Sequence, residues 1–114
     1  MSSTVGKKGE DIAAEYLKKK GYKILERNKH FSRNCEIDII AEHKKILVFV
    51  EVKTRTTTDF GHPFEAITPT KYKNIKTGIF MYLNEKNLAN VSFRIDAVSV
   101  ILKPEIKIEH LENI

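Results

Sequence analysis

The stretch NCEIDIIAEHKKILVFVEVKTR, residues 34–55, decides how this chain folds. Residues 35–42 and 45–55 both read as strands, rich in Ile and Val, with Lys44 and Lys45 between them at the turn. Into these strands the sequence sets Glu36, Asp38, Glu51 and Lys53. Side chains alternate along a strand, so Glu36 shares a face with Asp38, and Glu51 shares one with Lys53. A hairpin turning at Lys44 and Lys45 puts Asp38 directly opposite Glu51. The Cβ atoms of opposed antiparallel residues are roughly 4.5–5.5 Å apart, where like charges repel. The run ILVFVEV is apolar at nearly every position, the pattern of a strand covered on both faces, so Glu51 is also expected to be poorly hydrated. A bound divalent cation offsets both costs.

Outward from this pair, residues 6–20 place Ile12, Ala13, Tyr16 and Leu17 at helical spacing, and Gly21 stops the run. Residues 22–31 suit a strand, and residues 56–66, TTTDFGHPFEA, a loop. Thr68 can cap a helix that starts at Pro69, with Tyr72, Ile75, Ile79 and Leu83 as its buried stripe. Residues 91–102 read as another strand, and EIKIEHLE, residues 105–112, as a short edge beside it. The expected order is α-β-β-β-α-β with room for one more strand, an α/β fold without repeats or linkers.

A chain of 114 residues with 41% hydrophobic content can bury one core, so residues 1–114 are expected to form a single domain. No apolar run approaches the roughly 20 residues that cross a bilayer, and MSSTVGKKGE lacks an apolar signal core, so a cytoplasmic protein without membrane contact is expected. The single cysteine, Cys35, excludes an internal disulfide and a thiolate zinc cluster. Twenty Lys and Arg against fifteen Asp and Glu leave a net charge of +5 and a pI near 9.3, a balance that suits a polyanionic partner.

Carboxylate and carbonyl oxygens suit a hard cation, magnesium or manganese, which keeps several waters and binds through one or two carboxylates plus substrate phosphates. Asp38, Glu51 and the backbone carbonyl of Val52 would make one open site of this kind. Lys53 could hold the attacking water or neutralise charge growing on a phosphate oxygen, a pattern that points to phosphodiester hydrolysis. The plainer reading is an ion-pair ladder, with Lys53 bonded to Asp38 or Glu51 on an exposed face.

Other residues divide in the same way. Glu10 lies in the helical column of Gly6, Ala13, Ala14 and Leu17; it either turns toward the acids or stabilises the helix N-terminus. Glu36 either supports the ligands or faces solvent, and His62 reads as a turn residue. Lys71, Lys73 and Lys76, on the first turns of the second helix, suit phosphate contact, with a solvated basic face as the alternative. Arg55 continues the Glu51 and Lys53 face to where a flanking phosphate could lie. Arg94 and Asp96 suit ion pairing, and Cys35 reads as a small, partly buried apolar residue.

GKKGEDIAAEYLKKKGYKILERN, EIDIIA, VFVEVKTR, FGHPFEAITPTK and FRIDAV follow in the order and spacing of the bacterial YraN family, a resemblance that covers almost the whole chain. YraN proteins are in turn similar to the PD-(D/E)XK, restriction-endonuclease-like superfamily, especially to archaeal Holliday junction resolvases. The resemblance implies a central mixed sheet flanked by helices, and a magnesium site in which an aspartate, an acidic residue, a lysine and a helical glutamate fall on Asp38, Glu51, Lys53 and Glu10. It implies DNA as partner, branched or otherwise structured, and a homodimer with two active sites. A nucleic-acid-binding module that keeps the fold without cutting is the alternative. The family commonly has glycine where this chain has Cys35; a glycine needed for positive φ would make that cysteine a strained substitute.

Overall fold

The computed structural model describes residues 4–33, 35–59 and 61–114. In chain order the elements are α1 (Thr4–Lys19), β1 (Lys23–Ser32), β2 (Cys35–His43), β3 (Ile46–Arg55), a 3-10 helix (Pro63–Ala66), α2 (Pro69–Glu85), β4 (Phe93–Ile101) and β5 (Lys107–Leu111). Phe60, inside the expected loop, lies outside the described residues, as do Asn34 and residues 1–3.

The five strands form one mixed sheet in the order β1-β2-β3-β4-β5. The first three make an antiparallel meander, β3 and β4 run parallel, and β5 closes the far edge antiparallel to β4. Parallel neighbours need a crossover, and the 3-10 helix with α2 supplies it. The sheet is flanked by helices, an arrangement compatible with the restriction-endonuclease-like fold, and β5 is the additional strand that the C-terminal pattern allowed. No helix among the described residues is long and apolar enough to cross a membrane.

The hairpin forms where expected. Lys44 and Lys45 both take positive φ, 52° and 66°, as a two-residue primed turn requires, and His43 faces Ile46. The ladder then runs to Ile39 against Val50. Its last pair stops one residue short of Asp38 on β2 and of Glu51 on β3.

Each helix covers one face. Val48, Val50 and Val52 pack with Ala13, Ala14 and Leu17 of α1, whereas Leu47 and Phe49 pack with Ile75, Ile79 and Tyr82 of α2. The apolar run of β3 is therefore a strand buried on both sides, and Glu51 follows Phe49 onto the α2 face. Gly21 ends α1 with φ +92°, where the Tyr22 N–H reaches back to the Leu17 carbonyl. The Thr68 hydroxyl caps α2, with Pro69 at its first position. The buried stripe of α2 is Ile75, Gly78, Ile79 and Tyr82; Tyr72 and Leu83 are only partly covered, because the helix turns Tyr82 onto Phe49 instead.

Candidate metal and phosphate site

Within β2 strict alternation fails at Asp38. Ile37 packs in the α2 core and Ile39 in the α1 core, so β2 turns over between them. Glu36 and Asp38 therefore do not share a simple face, contrary to the expectation from an even pleat. At the turn Asp38 leaves the ladder and its side chain enters the fork between β2 and β3, where Oδ2 accepts the Val52 N–H at 2.8 Å. That carboxylate occupies the place a β2 carbonyl would take in a continued ladder. In extended backbone the N–H and C=O of one residue leave the strand on the same side, so the Val52 carbonyl also faces the fork.

Glu51 is 3% exposed and Asp38 9%. Asp38 is pushed up to about 8, first by burial and then by the Glu51 charge, with Glu10 and Glu36 adding to the rise and the Val52 N–H pulling against it. Glu51 Oε1 meets Lys53 Nζ at 3.2 Å and Lys71 Nζ at 3.4 Å. Its other oxygen, Oε2, is buried with no hydrogen-bond partner among the described residues. An unpaired buried carboxylate oxygen is costly, and it lies next to a second acid that burial keeps from ionising.

Asp96 shows what a fully satisfied aspartate looks like in the same sheet. It is wholly buried, which alone would raise its carboxyl, yet hydrogen bonds from His110 at 2.7 Å, Arg94 at 2.9 Å and the Asn113 N–H at 3.0 Å hold it below the ordinary value. Asp38 makes no ion pair among the described residues, and the opposite shifts separate an acid built into the scaffold from one left open.

Glu10 arrives from α1. Gly9 lies so close to β3 that a Cβ there would overlap the Thr54 side chain, and this contact brings the helix down beside the acids. Burial raises the Glu10 carboxyl, an Asn28 side-chain hydrogen bond lowers it, and Glu36 raises it again. Glu10 is the seventh residue of α1, beyond the first turn, so the helix N-terminus is not its partner. Glu36 is half-buried and pairs with His30 at 3.6 Å. The structure thus gathers Glu10, Glu36, Asp38 and Glu51 from three elements into one electrostatic neighbourhood, with Lys53 on its rim.

The ion-pair ladder describes one oxygen of Glu51 and on a buried rather than an exposed face. Lys71 belongs to this site as well as to the first turn of α2, a contact that the sequence pattern did not indicate. Lys73 is exposed, Lys76 lies 5.4 Å from the Tyr72 ring centre, and Arg55 ends β3 half-buried. Asn28 was also missed; an asparagine amid a strand pattern, here with φ 52°, was the available signal. Ser99, level with Lys53 on β4, is buried with an unpartnered hydroxyl. His62 is a turn residue, its Nδ1 accepting the Phe64 N–H at 3.1 Å and its Nε2 meeting Glu109 at 2.8 Å. Cys35 is buried and begins β2 in extended conformation, so no positive φ strains it. An apolar hollow lined by Ile12, Tyr16 and Ile108 shares no residue with the acids.

Among the described residues no group of three or more His, Cys, Asp or Glu side chains is gathered closely enough to enclose a metal ion alone. A hard dication does not need that: one or two carboxylates, a carbonyl and waters suffice. Glu51 Oε2, the Asp38 carboxylate and the Val52 carbonyl are oxygen donors, and the first has no hydrogen-bond partner among the described residues. These residues fit magnesium or manganese.

The family model of the uncharacterised protein family UPF0102 matches residues 9–100. The chain is 45% identical over 114 residues to a UPF0102 protein of Syntrophomonas wolfei, covering 99% of this chain and 98% of that one. It is 46% identical over 114 residues to one of Caldanaerobacter subterraneus (96% and 93% covered), and 42% identical over 111 residues to one of Geobacter sulfurreducens (96% and 86% covered). These matches agree with the YraN resemblance in the sequence.

Proposed function

Because this chain belongs to the uncharacterised protein family UPF0102, a name that carries no activity, its chemistry rests on the site, and we propose that it is a magnesium- or manganese-dependent endonuclease hydrolysing phosphodiester bonds in DNA. The observation that carries this reading is the buried, unpartnered Oε2 of Glu51 beside Asp38, an acid that burial and its neighbours push up to about 8. A protein that needed these residues only for stability would satisfy them, as it satisfies Asp96.

When bound, the dication supplies a Lewis acid for the phosphate and lowers the pKa of water at the site. Asp38, Glu51 and the Val52 carbonyl would hold it. Lys53, anchored on Glu51, stands where it neutralises charge growing on a phosphate oxygen or orients the attacking water. Glu10, with Glu36 and Asn28, tunes the acids from the α1 side. Arg55, Lys71, Lys73 and Lys76 grip flanking phosphates, and the net charge of +5 favours the polyanion. Branched or otherwise structured DNA is the substrate implied by resemblance, and a homodimer would supply the two cuts that a symmetric junction requires.

A cleavage panel of duplex, single-stranded, flap and four-way DNA, with and without magnesium, tests the reading. Metal-dependent cutting of a structured substrate is expected. Salt-sensitive binding without cutting on any substrate would replace the nuclease with a nucleic-acid-binding module of the same fold.

A further inference from the structure

We propose that Lys71 is a transferable counter-ion: it holds Glu51 in the empty site and moves to a phosphate oxygen of a bound phosphodiester once a divalent cation takes Glu51. The inference rests on the metal-dependent reading above. It starts from the unequal treatment of one carboxylate, whose Oε1 is ion-paired with Lys53 Nζ at 3.2 Å and Lys71 Nζ at 3.4 Å while Oε2 has no hydrogen-bond partner among the described residues. Two ammonium groups on one oxygen repel each other, and one of them is in excess of the charge it neutralises.

The structure identifies which one can leave. Lys53 sits two residues along the same strand as Glu51, its side chain 20% exposed; Lys71 comes from α2 with its side chain 38% exposed, so its ammonium loses less contact with water by moving. Its backbone stays fixed, because the Lys71 N–H donates to the Thr68 cap at 3.1 Å. The mobile part is the flexible four-carbon stem, which carries a compact point charge suited to a phosphate oxygen. A dication drawn to Glu51 repels the ammonium already there, so cation and Lys71 compete for one carboxylate. The loser of that competition is delivered to the site's mouth when a phosphate needs it.

This arrangement predicts effects of opposite sign from one substitution. Lys71→Ala should tighten Mn2+ binding by the full chain, measured by calorimetry without nucleic acid, by roughly fivefold. The same variant should bind a phosphorothioate-linked DNA oligonucleotide in Mn2+ roughly fivefold more weakly, with the salt slope reduced by about one. Lys71→Met, which keeps an unbranched apolar stem without the charge, should behave alike, and Lys19→Ala, an exposed lysine at the far end of α1, should leave both affinities unchanged. A merely structural lysine would weaken both bindings together. Wild-type protein that binds Mn2+ no more weakly than Lys71→Ala overturns the transfer of Lys71 and leaves the metal reading intact. Wild-type protein that binds no Mn2+ removes both.

Discussion

Asp38 and Asp96 are the same residue type, both buried in one sheet, and they are driven in opposite directions. Asp96 is saturated with donors; Asp38 has a single N–H and three acidic neighbours. In the fold Asp38 keeps its proton at pH values where the unfolded chain has already released it. The contribution of Asp38 to stability is therefore fully present below the ordinary carboxylate range and is lost as pH rises toward about 8, by at most about 1.4 kcal/mol per pH unit. Thermal melts in chelator between pH 5 and 8 should show wild type losing ground against Asp38→Asn over that window; parallel curves would mean that Asp38 ionises freely. Because a ligand carboxylate must be ionised, Mn2+ affinity should also climb with pH up to about 8 and then level off, which titration at several pH values checks. At this scale the turn at Lys44 and Lys45 and the pairing that follows it were legible in the sequence, whereas the departure of Asp38 from the ladder to take the Val52 N–H was not. The doubled lysine contact on Glu51 was not legible, because Lys71 lies in another element and only the crossover brings it back.

At the scale of elements, two glycines set how closely helices approach the sheet, and distance decides the sign of substitution. Replacing a helical glycine by alanine gains about 1 kcal/mol of propensity. At Gly9 the new Cβ would overlap the Thr54 side chain, whose own Cβ is 2.7 Å away and cannot rotate aside. Overpacking costs about 1–3 kcal/mol, so Gly9→Ala should lower the melting temperature and carry Glu10 away from the acids. At Gly78 the nearest atoms are the side-chain ends of Ile37 at 3.2 Å and Phe31 at 3.3 Å, which can give. Gly78→Ala should therefore be neutral or stabilising by up to about 1 kcal/mol. The same melts measure both, and a destabilised Gly78→Ala beside a neutral Gly9→Ala would contradict this account of helix docking. Helix and strand positions were legible in periodicity and caps. The reversal of β2 at Asp38 was not, because period-two reasoning assumes an even pleat, and Ile37 and Ile39 reach different cores only because the strand turns over. The 3-10 helix hid in a loop pattern for a similar reason: it is four residues long, started by His62 and Pro63 rather than by any apolar period.

At the scale of the whole molecule, the mixed sheet holds its open acids at the fork between β2 and β3, with α1 bringing Glu10 and α2 bringing Lys71. The exposed lysines of α2 extend the positive surface beyond that fork. Neutralising Lys73 and Lys76 should weaken DNA binding and flatten its salt dependence by roughly one unit of slope per lost phosphate contact, which binding isotherms at several salt concentrations read directly. An unchanged slope would put the DNA elsewhere on the surface.

If Glu51 holds the catalytic dication, the magnesium-dependent cleavage rate of a four-way DNA separates wild type from Glu51→Gln. Glutamine keeps the size of the side chain and removes its charge. Wild type is predicted to cut only with magnesium, and Glu51→Gln to lose about a hundredfold or more of that rate while its melting temperature in chelator holds or rises. Equal rates for the two proteins, or cutting that continues in chelator, would contradict the account.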